Sequence, residues 1–432
     1  MKAIALAAIA FAFGEFAIAQ SMFRGNAAHT GVHASPAPRT FTRVKWTFAT
    51  GDRIVSSPVQ SGGVVYFGSD DGYIYAVDAA SGRKRWSRRT GGPVAATPAI
   101  ADGTLYVGSY DGHFYALDAA SGALRWRFTT SGERRFEAKG LHGLLPKQQT
   151  IADPFDVFLS SPVVAQGRVY FGSGDGNIYA LDVRTGEVAW TFATGDVVHA
   201  SPAYADGVLY VGSWDSRLYA LDAASGAERW RFQGGVDPVI HNQVGFQSSP
   251  AVVDGVVYVG CRDSKLYAID AATGRELWHY DNAGSWVIAS PAVARGRVMF
   301  ATSDSSRYLV VDAKSGRELL AQQGRAFMFS SPVVAGSVVL IGVLNGTLEA
   351  RDFDSGELLW SFATEASKRN AGWVLTAEGA FNTPLLYGAS WREAPLAATE
   401  RQFSVGSIFS SPLVVDGVVY VGSSDGNLYA IE

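Results

Sequence analysis

Apolar residues fall along this chain in short runs of strand length, separated by turn residues, and the runs recur in sets of four. One set reads Ser56-Ser57-Pro58, then Val64-Val65-Tyr66-Phe67-Gly68, then Asp71-Gly72, then Tyr73-Ile74-Tyr75-Ala76-Val77-Asp78, then Ser81-Gly82 and Trp86. Runs of this length, rich in Val, Ile, Tyr and Phe and bounded by Gly, Asp and Ser, predict strands. The set returns with its proline at Pro58, Pro98, Pro162, Pro202, Pro250, Pro291, Pro332 and Pro412. Most spacings are about forty residues, the period of a four-stranded propeller blade. Between the second and third strands, pairs such as Asp71-Gly72, Asp111-Gly112 and Asn345-Gly346 predict two-residue type I′ turns.

The expected fold is therefore all-β, an eight-bladed β-propeller of four-stranded antiparallel blades. Seven copies run through all four strands, and the eighth stops after the third, at Leu428 to Glu432. A strand matching the missing one stands near the other end, Val44-Lys45-Trp46-Thr47-Phe48 beside Ala189-Trp190-Thr191-Phe192. The N-terminal strand should complete the C-terminal blade, because an open ring leaves unpaired strand edges. The sixth copy carries Leu320 and Val310 where its sisters have Trp and Ala, with one extra residue before Asp312. It is expected to be the least regular blade.

The stretch Ala76-x-Asp78-x-x-x-Gly82-x-x-x-Trp86 recurs at Ala116 to Trp126, Ala180 to Trp190, Ala220 to Trp230, Ala268 to Trp278 and Ala350 to Trp360. It closely resembles the tryptophan-docking motif of the pyrroloquinoline quinone (PQQ)-like repeat propellers, and the resemblance covers residues 44–432 apart from insertions. It implies that Trp46, Trp86, Trp126, Trp190, Trp230, Trp278 and Trp360 are structural, each packing on the next blade. Phe23-Arg24-Gly25-Asn26 and His29-Thr30-Gly31 look like the lead-in of exported members. In blade type the chain is similar to the outer-membrane β-barrel assembly lipoprotein and to quinoprotein dehydrogenases.

Charge excludes little beyond nucleic acid: 36 Lys+Arg face 40 Asp+Glu, so no basic field is present. The first residues read as a signal peptide over 1–19: Lys2, the apolar run Ala3 to Phe13, and Ala17-Ile18-Ala19 before Gln20. Cleavage is expected after Ala19 without lipidation, since no Cys follows, giving a periplasmic or secreted protein. Residues 20–43 form a lead-in and 44–432 the propeller. No transmembrane segment is expected, and a monomer is. Cys261 is the one cysteine, so no internal disulfide can form.

The resemblance to quinoprotein dehydrogenases implies a quinone held by a stacked Trp, a ring of neighbouring cysteines, calcium and a catalytic Asp. One cysteine cannot make that ring, and none of those residues is carried over. The histidines His29, His33, His113, His142, His199, His241 and His279 show no zinc spacing. No catalytic residue, metal or cofactor is expected, with PQQ as the alternative.

Insertions near 132–158, 234–246 and 365–405 interrupt the period. Each falls between the last strand of one blade and the first of the next, so all three should emerge on one face, where long loops commonly carry function. Three positions before each blade proline stand Val55, Ala95, Leu159, His199, Gln247, Ile288, Phe329 and Phe409. With the loops they suggest a pocket having apolar walls and a few polar groups. The binding candidates are Arg53, His142, His199, His241, Gln247, Trp286 and Phe327. The expected function is an exported, non-catalytic binding or scaffolding propeller that engages a protein or small-molecule partner on the insertion-bearing face. A periplasmic quinoprotein oxidoreductase is the alternative.

Overall fold

The computed structural model describes residues 20–387 and 395–432. The expected leader, and residues 388–394 of the last insertion, lie outside the described residues. Eight blades form the ring. Blade 1 consists of Val59–Ser61, Val64–Gly68, Tyr73–Asp78 and Lys84–Arg89, here strands A to D from the channel outward. Blades 2 to 7 repeat that order, their A strands beginning at Ala99, Val163, Ala203, Ala251, Ala292 and Val333. Blade 8 takes strands A to C from Leu413–Val415, Val418–Gly422 and Asn427–Ile431. Its strand D is Val44–Ala49, paired antiparallel with Asn427–Ile431, so the chain's two ends close the ring.

Each blade carries a bulge where strand C meets strand D, as at Ala76↔Trp86 followed by Val77↔Lys84. The Trp then reaches across to the next blade. Trp46 Nε1 donates to the Ala79 carbonyl at 3.0 Å, Trp86 to Ala119 at 2.9 Å and Trp190 to Ala223 at 3.0 Å. The ring lies against the glycine of the neighbour's C–D turn. A Cβ on Gly82, which also has φ +69°, would sit 2.6 Å from the Trp46 ring, so that turn must be glycine. Trp360 has no C–D turn beyond it, and donates instead to the Pro38 carbonyl of the lead-in at 2.9 Å.

Two expectations are corrected. The Asp-Gly turns between strands B and C are not type I′, since only the glycine has positive φ: Gly72 is at +80° while Asp71 is not left-handed. They are three-residue loops closed by Ser69 N–H to Tyr73 C=O, the type I turn plus left-handed glycine arrangement. The two-residue turns with both φ positive join strands A and B, as at Asp102-Gly103 and Asp206-Gly207. Blade 6 is also regular. Its extra residue is absorbed in the B–C turn, the bulge is kept at Val310/Val311, and Leu320 Cδ2 packs on Gly356 as the tryptophans do elsewhere.

Strand A of each blade enters from the insertion-bearing end, so residues before it stack in tiers down the channel. The tier three before each proline comprises the side chains named above, from Val55 to Phe409. Below it the residue before each proline supplies a hydroxyl: Ser57, Thr97, Ser161, Ser201, Ser249, Ser290, Ser331 and Ser411. Most accept the backbone N–H of the neighbouring blade, as from Ser57 to Thr97 at 3.1 Å and from Ser161 to Ser201 at 2.9 Å. The first serine of the motif is structural too, with Ser56 donating to the Ala96 carbonyl and accepting from Gly68 N–H.

The lead-in closes the opposite end. Its carbonyls accept, blade after blade, the N–H two residues past the proline: Gln60 to Gln20, Ile100 to Ser21, Tyr204 to Ala27, Val252 to Ala28, Val293 to Thr30 and Val334 to Gly31. His33 Nδ1 takes the corresponding N–H of Val414, and Val32–His33 pairs parallel with the first strand of blade 7. No helix among the described residues is long and apolar enough to cross a membrane.

Candidate functional site

The first insertion folds into the channel mouth and is anchored there by buried charge. It contains the hairpin Glu137–Lys139 with Thr150–Ala152 and a single helical turn, Leu141–Gly143. Asp153, fully buried, accepts from Arg262 Nη1 at 2.7 Å and lies 3.1 Å from His142 Nε2. Burial alone would raise the Asp153 pKa, but Arg262 and His142 overcome it and hold the carboxylate below its usual range. Asp156, also fully buried, lies 2.7 Å from His199 Nδ1. Burial opposes charge on His199, yet Asp156 and Glu133 prevail and its pKa stands at about 9.

Arg262 is held between two indoles, its Cζ 3.7 Å from the Trp286 ring centre and 4.7 Å from that of Trp214. Phe136 of the insertion stacks on Trp214, with centroids 4.5 Å apart and planes 8° from parallel. Phe136, Trp214, Arg262 and Trp286 therefore form one stack joining the insertion to blades 4, 5 and 6. Cation–π contacts are strongest when desolvated, as this one is.

The second and third insertions meet the same end. His142 N–H donates to the Ile240 carbonyl at 2.7 Å, and His142 Nδ1 lies 2.9 Å from Asn242 Oδ1. The third insertion carries helices α1 (Glu365–Asn370), α2 (Thr383–Tyr387) and α3 (Pro395–Phe403). Between α3 and the first insertion lies a cleft of about 120 Å³ walled by Arg53, Asp70, Tyr110, Arg135, Glu400 and Phe403. Arg53 bonds Asp70 at 3.2 Å and Glu400 at 3.3 Å and lies over Phe403. Burial lifts the Asp70 pKa to about 6 against the pull of Arg53. Arg135 faces the Tyr110 ring at 5.8 Å.

The structure thus distributes the sequence-derived candidates. His142, His199, Gln247 and Trp286 come together beneath the first insertion, all buried; Gln247 Nε2 donates to the Phe155 carbonyl. Arg53 stands apart in the cleft. Phe327 packs under the third insertion against Phe381, and His241 sits half-buried in the second. On the side of blades 4 to 6 the first insertion fills the mouth with its own carboxylates and aromatics, Asp153, Asp156, Phe136 and Phe155. Sequence reasoning does not single out Asp153, Asp156, Trp214 or Arg262. A signal for the last two exists in the residue before the B–C Asp or Asn, which reads Asp70, Tyr110, Gly174, Trp214, Arg262, Leu344 and Ser424. This column of the repeat changes chemistry from blade to blade, and it lies at the end of the blades that carries the insertions.

The model for the family of outer membrane protein assembly factor BamB matches residues 37–152, 147–285 and 283–378. The chain belongs to this family. Curated relatives include the outer membrane protein assembly factors BamB of Xanthomonas campestris pv. campestris, 29% identical over 32% of this chain, and of Shewanella oneidensis, 26% identical over 35%. Those alignments span 34% and 42% of the relatives' own length. Among solved structures, BamB from Moraxella catarrhalis superposes with a TM-score of 0.64 at 17% identity, covering 90% of this chain and 97% of that one. A europium-containing methanol dehydrogenase gives 0.67 at 14% identity, covering 96% and 98%. The quinohemoprotein alcohol dehydrogenase of Comamonas testosteroni gives 0.68 at 15%, covering 96% and 80%. At such identities these likenesses show the fold alone.

The quinohemoprotein neighbour makes a bound quinone the group to test against these residues. A planar quinone needs an aromatic face to lie on, and the Trp286 face is taken by Arg262 at 3.7 Å. Phe155 and His142 crowd the same indole. Cys261 is buried without a neighbouring thiol, and burial pushes its pKa up. Among the described residues no group of three or more His, Cys, Asp and Glu side chains is set to hold a metal. The residues around Trp286 do not fit a stacked quinone.

Proposed function

We propose that this protein is an exported, non-catalytic propeller that docks a protein partner on the insertion-bearing face. The observation that carries this reading is where large apolar side chains are exposed. Leu145, Val236, Val239, Ile240, Trp373 and Leu385 all belong to the three insertions, with Val239 78% and Trp373 61% exposed. Most of the other exposed large side chains, such as Leu124 and Val188, are spread singly along the outer D strands, where isolated apolar residues are ordinary. An apolar surface on a scaffold held by buried ion pairs suits docking, since little freedom is lost on binding. Membership of a family named for outer membrane protein assembly supports a scaffolding role. The leader read over residues 1–19 supports export to the periplasm, unlipidated, after cleavage at Ala19.

The test is capture of partners from periplasmic extract by the full-length protein and by a surface variant, Leu145→Ser, Val239→Ser and Trp373→Ser together. We expect the variant to lose capture about tenfold or more, since apolar anchors dominate such interfaces, while melting unchanged. Equal capture by both proteins would overturn the proposal. So would dye-linked alcohol oxidation after incubation with the quinone, which would favour the oxidoreductase alternative.

A further inference from the structure

Three arginines are buried among the described residues, and two have carboxylates: Arg262 with Asp153, and Arg351 with Glu349. Arg24 has none. It is 3% exposed, and its guanidinium donates to the Pro332 carbonyl at 2.7 Å and the Pro291 carbonyl at 2.9 Å. Its Nε finds no partner. Its backbone is left-handed, at φ +60°, a conformation that costs free energy in a non-glycine residue. The lead-in thus accepts strain to place an uncompensated cation at the channel floor. Nearby histidines do not share the charge: burial and Arg24 together hold the pKa of His29 and His33 at about 3.

Above this cation stands the tier of pre-proline hydroxyls. Ser290 and Ser331 directly precede the two prolines whose carbonyls bind Arg24. Seven of the eight accept a backbone N–H, so their own protons remain to be placed, and none of the eight donates to a protein acceptor among the described residues. They line a chamber of about 40 Å³, with Phe23 below and Phe158, Phe329 and Phe409 among its other walls. That is room for a halide ion or a few waters. His199 reaches the chamber from the insertion side, but Asp156 and Glu133 already answer its charge. A buried cation without a counter-charge is costly, and a ring of hydroxyls that line a small cavity and have protons to donate suits negative charge.

We propose that the central channel binds a small inorganic anion of halide size, coordinated by the pre-proline hydroxyls and held by the field of Arg24. This site is independent of the partner surface on the insertions. The experiment uses the full chain, unfolded and refolded in sodium bromide or in sodium gluconate at equal ionic strength, gluconate being too large for the chamber. The melting temperature should be higher in bromide by about 3 °C, and crystals grown in bromide should show an anomalous peak among the hydroxyls. Arg24→Lys should keep the bromide effect and Arg24→Met should abolish it. The wild-type diffraction measurement stands even if Arg24→Met fails to fold. Water alone in the chamber, with equal melting in both salts, would overturn the proposal, as would an undiminished bromide effect in a folded Arg24→Met protein.

Discussion

Arg262 has no access to water, and the carboxylate that neutralises it arrives from an insertion 109 residues earlier in the chain. Removing one member of such a pair strands the other in a low dielectric, which costs about 3–5 kcal/mol. Arg262→Met should lose that much in urea unfolding, and Asp153→Leu in the same protein should recover part of it. A single variant as stable as the parent would show that the pair does not anchor the insertion. The histidines set a pH dependence at this same scale. His199, with a pKa of about 9 folded against about 6.5 unfolded, contributes stability present in full below pH 6.5 and lost as pH rises through 9. His29 and His33, depressed to about 3, remain neutral in the fold, so stability is lost as pH falls from 6.5 towards 3. Asp70, raised to about 6, acts oppositely on the acid side and shallows that limb. Unfolding free energy should therefore peak near pH 6.5, and His199→Asn should flatten the alkaline limb; a parent profile flat between pH 6.5 and 9 would contradict the buried His199–Asp156 pair.

Among elements, the D strands hold the ring together through their indoles. Trp190 is buried and spans blades 3 and 4, so Trp190→Ala should cost about 3–5 kcal/mol. Trp46 is only half-buried and should cost less. Trp373→Ser, on an insertion surface, should change stability by less than about 0.5 kcal/mol. Thermal unfolding of the three variants checks the order, and an equal loss at Trp373 would mean its loop is part of the core. The blades were readable in the sequence because each strand meets partners at a fixed spacing, so the same residues recur wherever the same contact recurs. The type of the B–C turns is not legible in the sequence, because a glycine following Asp has positive φ in both candidate turns and the φ of Asp71 leaves no mark on composition. The regularity of blade 6 is hidden in the sequence, because Leu320 fills, by shape, a contact expected only of Trp.

For the molecule as a whole, strand parity was enough to expect the three insertions at one end. What they do there was not legible, since the partners of Asp153 and Asp156 occur once and no repeat announces them. The lead-in was visible as a motif, but not as a segment laid across seven A strands. The pairing of Val44–Ala49 with Asn427–Ile431 has a further consequence, for the time course of folding. Blades 1 to 7 are built from hairpins whose partners lie about ten residues apart, whereas the closing pair joins residues separated by nearly the whole chain. Loop-closure entropy grows by about 0.6 kcal/mol per doubling, so that last contact carries a penalty of roughly 3 kcal/mol more than a hairpin. Contacts of such sequence separation form slowly. Until this one does, blade 8 lacks a strand, two sheet edges face water, and the lead-in has no finished ring to lie across. The interval before closure is when the chain is most exposed to pairing with another copy of itself.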